Sequence, residues 1–240
     1  MKQWIYGRNT IRELITNHKN IYELVFLKGN RNDDLMELAQ SEIPCVSINY
    51  IIPGVPSVLT ANIDAGYKAG KYFIERGHKK IGYISGSLSK YNLAAQDRLE
   101  GLKKAMLEEG LEFSENNYEY CEMWTRDFGY EAMKKLYKKN PDLTAVFVAN
   151  DNMAYGAMEY LNSINVKMPD DVSFIGFDNE QASEFITPTL TTFKQNRIVI
   201  GKLSSEMLMN RLVGIPVHDC VRVQADFIER NSVKNIYENL

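Results

Sequence analysis

Residues 144–179 constrain the fold more than any other part of the chain. They read TAVFVANDNMAYGAMEYLNSINVKMPDDVSFIGFDN. Two apolar runs, 145–149 and 172–177, each end in a polar pair containing an aspartate, Asn150-Asp151 and Asp178-Asn179. Between them Met153, Ala154, Gly156, Ala157, Tyr160 and Leu161 recur at helical spacing, and Pro169 follows. This predicts strand, crossover helix, strand, a unit that is nearly always right-handed between parallel strands. Asp151 and Asp178 then lie at the C-terminal edge of one parallel sheet, where open α/β sheets bind ligands. The expected class is α/β, with this edge as one wall of a small-molecule cleft.

The rest of the chain supports an α/β reading. Ile11, Leu14 and Ile15 fall on one helical face, and Thr10 with Glu13 has capping-box spacing. Residues 22–27 and 44–48 read as strands flanking a short helix over 33–41. The Pro- and Gly-containing run 50–57 breaks regular structure. A helix is expected over 64–76, closed by Gly77 as the residue that takes positive φ without penalty. A strand follows over 81–84. Residues 201–213 form an amphipathic helix with Leu203, Met207, Leu208 and Leu212 on one side. That face fits a core or, if exposed, a homodimer contact.

Charge and composition narrow the function. The chain carries a net charge of −3, without the basic excess of a self-sufficient nucleic-acid binder. Cys45, Cys121 and Cys220 are far apart and odd in number. They suit neither a metal site nor a disulfide framework, and fit reduced thiols in a cytoplasm. No apolar run reaches the ~18 residues of a membrane span, and the N-terminus has no signal-peptide pattern. Serine-triad, G-x-S-x-G and phosphate-loop patterns are absent. The expectation is a cytoplasmic protein that is not an enzyme, with no catalytic residue, cofactor or metal and no membrane partner.

Two family resemblances sharpen this. Residues 66–86, GYKAGKYFIERGHKKIGYISG, resemble the junction between lobes in the LacI/GalR family of transcriptional regulators. The resemblance continues through Arg98-Leu99-Glu100-Gly101, Gly129-Tyr130, 142–157, 169–179, 188–195 (PTLTTFKQ) and 227–232 (FIERNS), covering about residues 50–233. It implies a periplasmic-binding-protein-like type I fold with two α/β lobes and parallel sheets around a cleft. Residues 4–45 carry a second resemblance, in YGRNTI at 6–11 and in 21–29 and 34–39. It is to the N-terminal substrate-binding segment of SpoU-type rRNA 2′-O-ribose methyltransferases. The helix-turn-helix and two opening βα units of the first family find no match. The resemblances therefore imply an abbreviated N-terminal lobe over 1–79, with 1–45 SpoU-like, and a C-terminal lobe over 80–240. The chain reads as a natural fusion, a gene-calling artefact or an engineered chimera.

The LacI/GalR resemblance assigns ligand roles to Arg98, Trp124, Asn150 and Asp178. Each residue type suits the role. A guanidinium offers a planar fork of donors, and a carboxylate accepts hydroxyl hydrogens. An indole makes a flat wall for a sugar or base. Asn150 is expected to touch ligand, and Asp151 to cap the helix near Met153. Phe128 is a second candidate wall. His78 fits a structural role at a helix end. The implied function is binding of a sugar or purine-like effector, with hinge closure of the lobes and no autonomous operator binding. The alternatives are RNA binding through residues 1–45, or a hybrid with neither function.

Overall fold

The structure, a computed structural model, describes residues 44–88 and 93–239. The elements expected before residue 44, the methyltransferase resemblance and the RNA contact inferred from it rest on residues outside these. In chain order the strands and helices begin with β1 (Ser47–Ile48), β2 (Ser57–Thr60), α1 (Asn62–Glu75), β3 (Ile81–Ser85) and α2 (Ala94–Glu108). Next come β4 (Tyr118–Tyr120), α3 (Arg126–Lys139), β5 (Ala145–Val148), α4 (Asp151–Ser163) and β6 (Ser173–Phe177). The last are β7 (Thr191–Lys194), α5 (Arg197–Leu212), β8 (Cys220–Val223) and β9 (Asp226–Ile228).

These strands form two sheets. The first has the order β1-β2-β8 and is parallel throughout. The second has the order β4-β3-β5-β6-β7-β9, parallel except for the antiparallel edge strand β9. The β5–α4–β6 unit expected from residues 144–179 lies at the centre of this second sheet. Among the described residues the chain passes between the sheets three times, at residues 60–62, 194–197 and 223–226.

Side-chain alternation explains why the second sheet is covered on both faces. Along β5, Ala145 and Phe147 join a core with Ala65, Ala69, Phe73, Leu102 and Met106, the inner faces of α1 and α2. Val146 and Val148 point the other way, into a core with Met133, Leu136, Met153, Ala157 and Leu161 of α3 and α4. The α3–α4 pair approaches closely because Gly129 and Gly156 lie at the contact. A Cβ on Gly156 would stand 1.9 Å from the Arg126 carbonyl oxygen, and one on Gly129 would stand 2.1 Å from that of Met153. The first sheet is covered by α5, whose Ile200 and Met207 pack with Val58 and Val223.

Several boundaries differ from the sequence reading. Helix α1 begins at Asn62 rather than 64, and Gly77 does follow it at φ +90°. Helix α5 begins four residues earlier than expected because Asn196 caps it, its side chain accepting the Val199 N–H at 3.3 Å. Of the α5 face that the spacing grouped together, Met207 is buried while Leu212 is 40% exposed. His78 is buried and its Nε2 lies 3.0 Å from the Lys234 carbonyl oxygen, which pins the C-terminal segment beside α1. Among the described residues no helix is long and apolar enough to cross a membrane, and no cluster of three His, Cys, Asp or Glu residues could hold a metal ion.

Candidate functional site

The C-terminal ends of β3, β5 and β6 meet the start of α2 at one edge of the second sheet. Arg98 lies in the second turn of α2 and is 5% exposed. Its position on a sheet-facing helix makes it a buried cation, rather than a surface arginine paired to Asp97 or Glu100. Its Nε donates to Asn62 Oδ1 at 2.9 Å, and its Nη1 donates to the Ala149 carbonyl oxygen. The guanidinium carbon sits 3.3 Å from the centroid of the Phe177 ring, a cation–π stack. Burial pulls the Arg98 pKa down, and the Asp178 carboxylate opposes that shift.

Asp178 follows β6 in a left-handed conformation, φ 104°, and Asn179 continues it at 52°. Such conformations persist only where the surroundings hold them. Here the Asp178 N–H donates to the Phe193 carbonyl oxygen at 2.7 Å, and its Oδ1 accepts from Gln195 Nε2 at 2.5 Å. Arg230 braces the turn from outside, its Nη2 donating to Asn179 Oδ1 at 2.8 Å. Among the described residues, Asp178 Oδ2 and Arg98 Nη2 have no hydrogen-bond partner. A cation and an anion thus flank the same edge, each with hydrogen-bonding capacity to spare.

Asn150 caps α4. Its Oδ1 accepts the Met153 N–H at 2.8 Å, and its Nδ2 donates to the Trp124 carbonyl oxygen at 3.2 Å. Asp151, expected as the cap, is instead the first residue of the helix and is fully buried. Its Oδ1 accepts from Thr192 Oγ1 at 2.7 Å, while its Oδ2 accepts the Glu180 N–H at 2.7 Å and the Ser183 hydroxyl at 2.9 Å. Burial pushes its pKa up to about 6, against the pull of these three donors. Gly176 makes room for it, since a Cβ there would stand 2.2 Å from Asp151 Oδ1. Asp151 therefore ties the start of α4 to β7 and to the turn after Asp178. The indole of Trp124 is half-buried over Gly86, where a Cβ would approach its Cγ to 2.4 Å. Phe128 is half-buried in the first turn of α3.

The four residues singled out from sequence thus share one edge. Arg98 touches the carbonyl beside Asn150 and the ring beside Asp178, and Asn150 touches Trp124. Sequence reasoning passed over three polar residues bound to this group: Asn62, which orients Arg98; Gln195, which binds Asp178; and Thr60, which binds Gln195 at 3.1 Å. All three lie at crossings between the sheets. A polar residue at such a crossing is a usable signal only once the crossings are known.

Residues 71–233 match the family model of the periplasmic binding protein-like domain. The chain is 32% identical over 237 residues to the HTH-type transcriptional repressor PurR of Haemophilus influenzae, an alignment covering 93% of this chain and 70% of that protein. PurR of Mannheimia succiniciproducens is 31% identical over 223 residues, covering 91% and 66%. The chain therefore spans about two thirds of the length of these relatives. Among solved structures, the transcriptional regulator CelR in complex with cellobiose is similar at a TM-score of 0.76 and 29% identity, over 84% of this chain and 63% of that one. A sugar-binding LacI-family regulator from Escherichia coli complexed with phosphate is similar at 0.76 and 25%, over 95% and 81%. With the two-sheet architecture, the Arg98–Asp178 edge and these similarities together, the chain belongs to the periplasmic binding protein-like family, as an effector-binding region of the LacI type.

Proposed function

We propose that this chain binds a sugar or nucleoside-like effector at the Arg98–Asp178 edge, and that the two sheets close on it as lobes. The carrying observation is the placement of a buried arginine and a carboxylate side by side, each with a donor or acceptor that has no partner among the described residues. Asp178 Oδ2 accepts a ligand hydroxyl, Arg98 Nη2 donates to a ligand oxygen, and Trp124 stacks on the ring. Asn150 contributes the second hydrogen of its Nδ2. Polar groups so few and so fixed give a concave site its orientation and specificity. The ligands held by related regulators, cellobiose in CelR and phosphate in the E. coli protein, support polyhydroxylated or anionic chemistry.

The lobes of this reading divide at the three crossings, so α1 belongs with the second sheet. The packing of Ala65, Ala69 and Phe73 against β3 and β5 supports that division over one at residues 79/80. The reading is of a cytoplasmic, non-enzymatic, homodimeric sensor. Burial pushes the Cys121 thiol up to about 11 and the Cys45 thiol up as well, which leaves neither a ready nucleophile.

Calorimetric titration with D-ribose, cellobiose and a purine nucleoside tests the proposal. Arg98→Lys keeps the charge but removes the fork, and Trp124→Ala removes the wall. Each is expected to weaken the ligand that wild type binds at least tenfold. Unchanged affinity in both variants places binding elsewhere.

A further inference from the structure

We propose that Gln195 is a positioning residue that ties the Asp178 carboxylate to the first sheet, so that the setting of the ligand-facing carboxylate and the angle between the sheets are one variable. The connection is a directed chain of hydrogen bonds. Gln195 lies on the second crossing, between β7 and α5. Its Nε2 donates to Asp178 Oδ1 at 2.5 Å. Its Oε1 accepts from Asn49 Nδ2 at 3.3 Å and from Thr60 Oγ1 at 3.1 Å, a hydroxyl whose one proton is shared with Asn49 Oδ1 at 3.2 Å. Thr60 ends β2, on the first crossing, and Asn49 follows β1. One side chain therefore bonds the ends of β1 and β2, two of the three strands of the first sheet, and the end of β6 in the second.

The chemistry leaves the orientation no freedom. An ionised carboxylate only accepts, so the Gln195 amide must turn its nitrogen to Asp178 and its oxygen to the first sheet. Asn49 in turn is fixed because its Oδ1 accepts the Thr60 N–H at 2.9 Å, which leaves its nitrogen for Gln195. Each bond in such a chain polarises the next, so the links act together. The chain is anchored at both ends by residues in the left-handed region, Asn49 at φ 57° and Asp178 at 104°. Such backbone holds only while its partners do. Rotation of one sheet against the other moves Thr60 and Asn49 away from Gln195 and frees it from Asp178. A ligand hydroxyl that binds Asp178 in the aligned state therefore favours that sheet angle.

The ligand half of this inference rests on the proposed function, but the tie itself does not, and the test separates them. Nitroxides placed at Glu131 on α3 and Glu206 on α5, with the three cysteines replaced by alanine, report the distance between the two sheets in the ligand-free protein by pulsed electron resonance. The reference protein is expected to give one narrow distribution. Gln195→Leu removes both links, and Gln195→Glu sets a carboxylate against Asp178. Both are expected to shift and broaden the distribution while far-UV circular dichroism stays unchanged. Asn49→Ala is expected to broaden it less, and Asp178→Asn, which keeps an acceptor, to leave it narrow. Should Gln195→Leu lose its fold, Gln195→Glu and Asn49→Ala carry the test.

For the ligand half, D-ribose and cellobiose are titrated into Gln195→Glu. The expected result is at least tenfold weaker binding at pH 7, regained toward pH 5 as the carboxylate pair takes up a proton. A purely packing role for Gln195 predicts no such pH profile. Folded Gln195→Leu and Gln195→Glu with the reference distribution overturn the tie. A broadened distribution with no binding by either probe supports the tie and counts against the sensing reading alone.

Discussion

Asp151 is a buried carboxylate with three donors, yet its pKa stands at about 6 against an ordinary 3.8, because desolvation outweighs the hydrogen bonds. The folded protein therefore holds that proton more tightly than the unfolded chain does. The cost of ionising it is absent below about pH 4 and complete above about pH 6, so this group's contribution to stability falls as pH rises through that window, by up to ~3 kcal/mol. Asp151→Asn carries no such charge, and with its oxygen toward the Glu180 N–H and the Ser183 hydroxyl its amide nitrogen donates to Thr192 Oγ1, which as a hydroxyl can accept. Denaturant melts at pH 4.5 and pH 7 are expected to show the variant close to wild type at the lower pH and more stable than it at the higher. A constant gap would contradict the buried-ionisation account. Asn150→Ala, which removes the α4 cap, is expected to cost about 1 kcal/mol in the same assay. Arg98 and Asp178 were legible as a pair from the ordered motifs around them. The capping of α4 by Asn150 and the burial of Asp151 were not, because Asp151's partners Ser183 and Thr192 lie 32 and 41 residues away and adjacency follows from sheet order alone.

Among the elements, β5, α4 and β6 were legible because their apolar runs are fully buried and the helical period between them is unbroken. Strands β4, β8 and β9 were not. Tyr118-Glu119-Tyr120, Cys220-Val221-Arg222-Val223 and Asp226-Phe227-Ile228 are three or four residues long, and most of their positions are exposed or half-buried, so composition marks none of them as strand. The α3–α4 contact supplies a test at this scale. Gly156→Ala sets a methyl against the rigid Arg126 carbonyl and is expected to destabilise by about 1–3 kcal/mol or more. Gly201→Ala, on an open face of α5, is expected to stabilise by roughly 0.5–1 kcal/mol through helix propensity alone. Thermal melts of the two variants should move in opposite directions, and a common direction would count against the close helix approach.

The described residues form two sheets joined by three crossings, where Gln195 bonds the carboxylate that follows β6, Thr60 bonds Gln195 and Asn62 bonds Arg98. Motif order along the chain implied the two-lobe family, and the architecture agrees with it. The pairing of β8 with β2 depends on a return of the chain after α5, which no local pattern announces. The central claim is that the Arg98–Asp178 edge binds a small polar ligand. Its most direct test is thermal-shift fluorimetry of wild type and Asp178→Ala against a panel of sugars, nucleosides and purines. Ligand at 100 times its Kd contributes ~2.7 kcal/mol, which for a chain of this size raises Tm by about 5–10 °C. The expected result is such a rise for one chemical class in wild type and its loss in Asp178→Ala. A flat response across the panel in wild type, or an equal rise in both proteins, would contradict the claim.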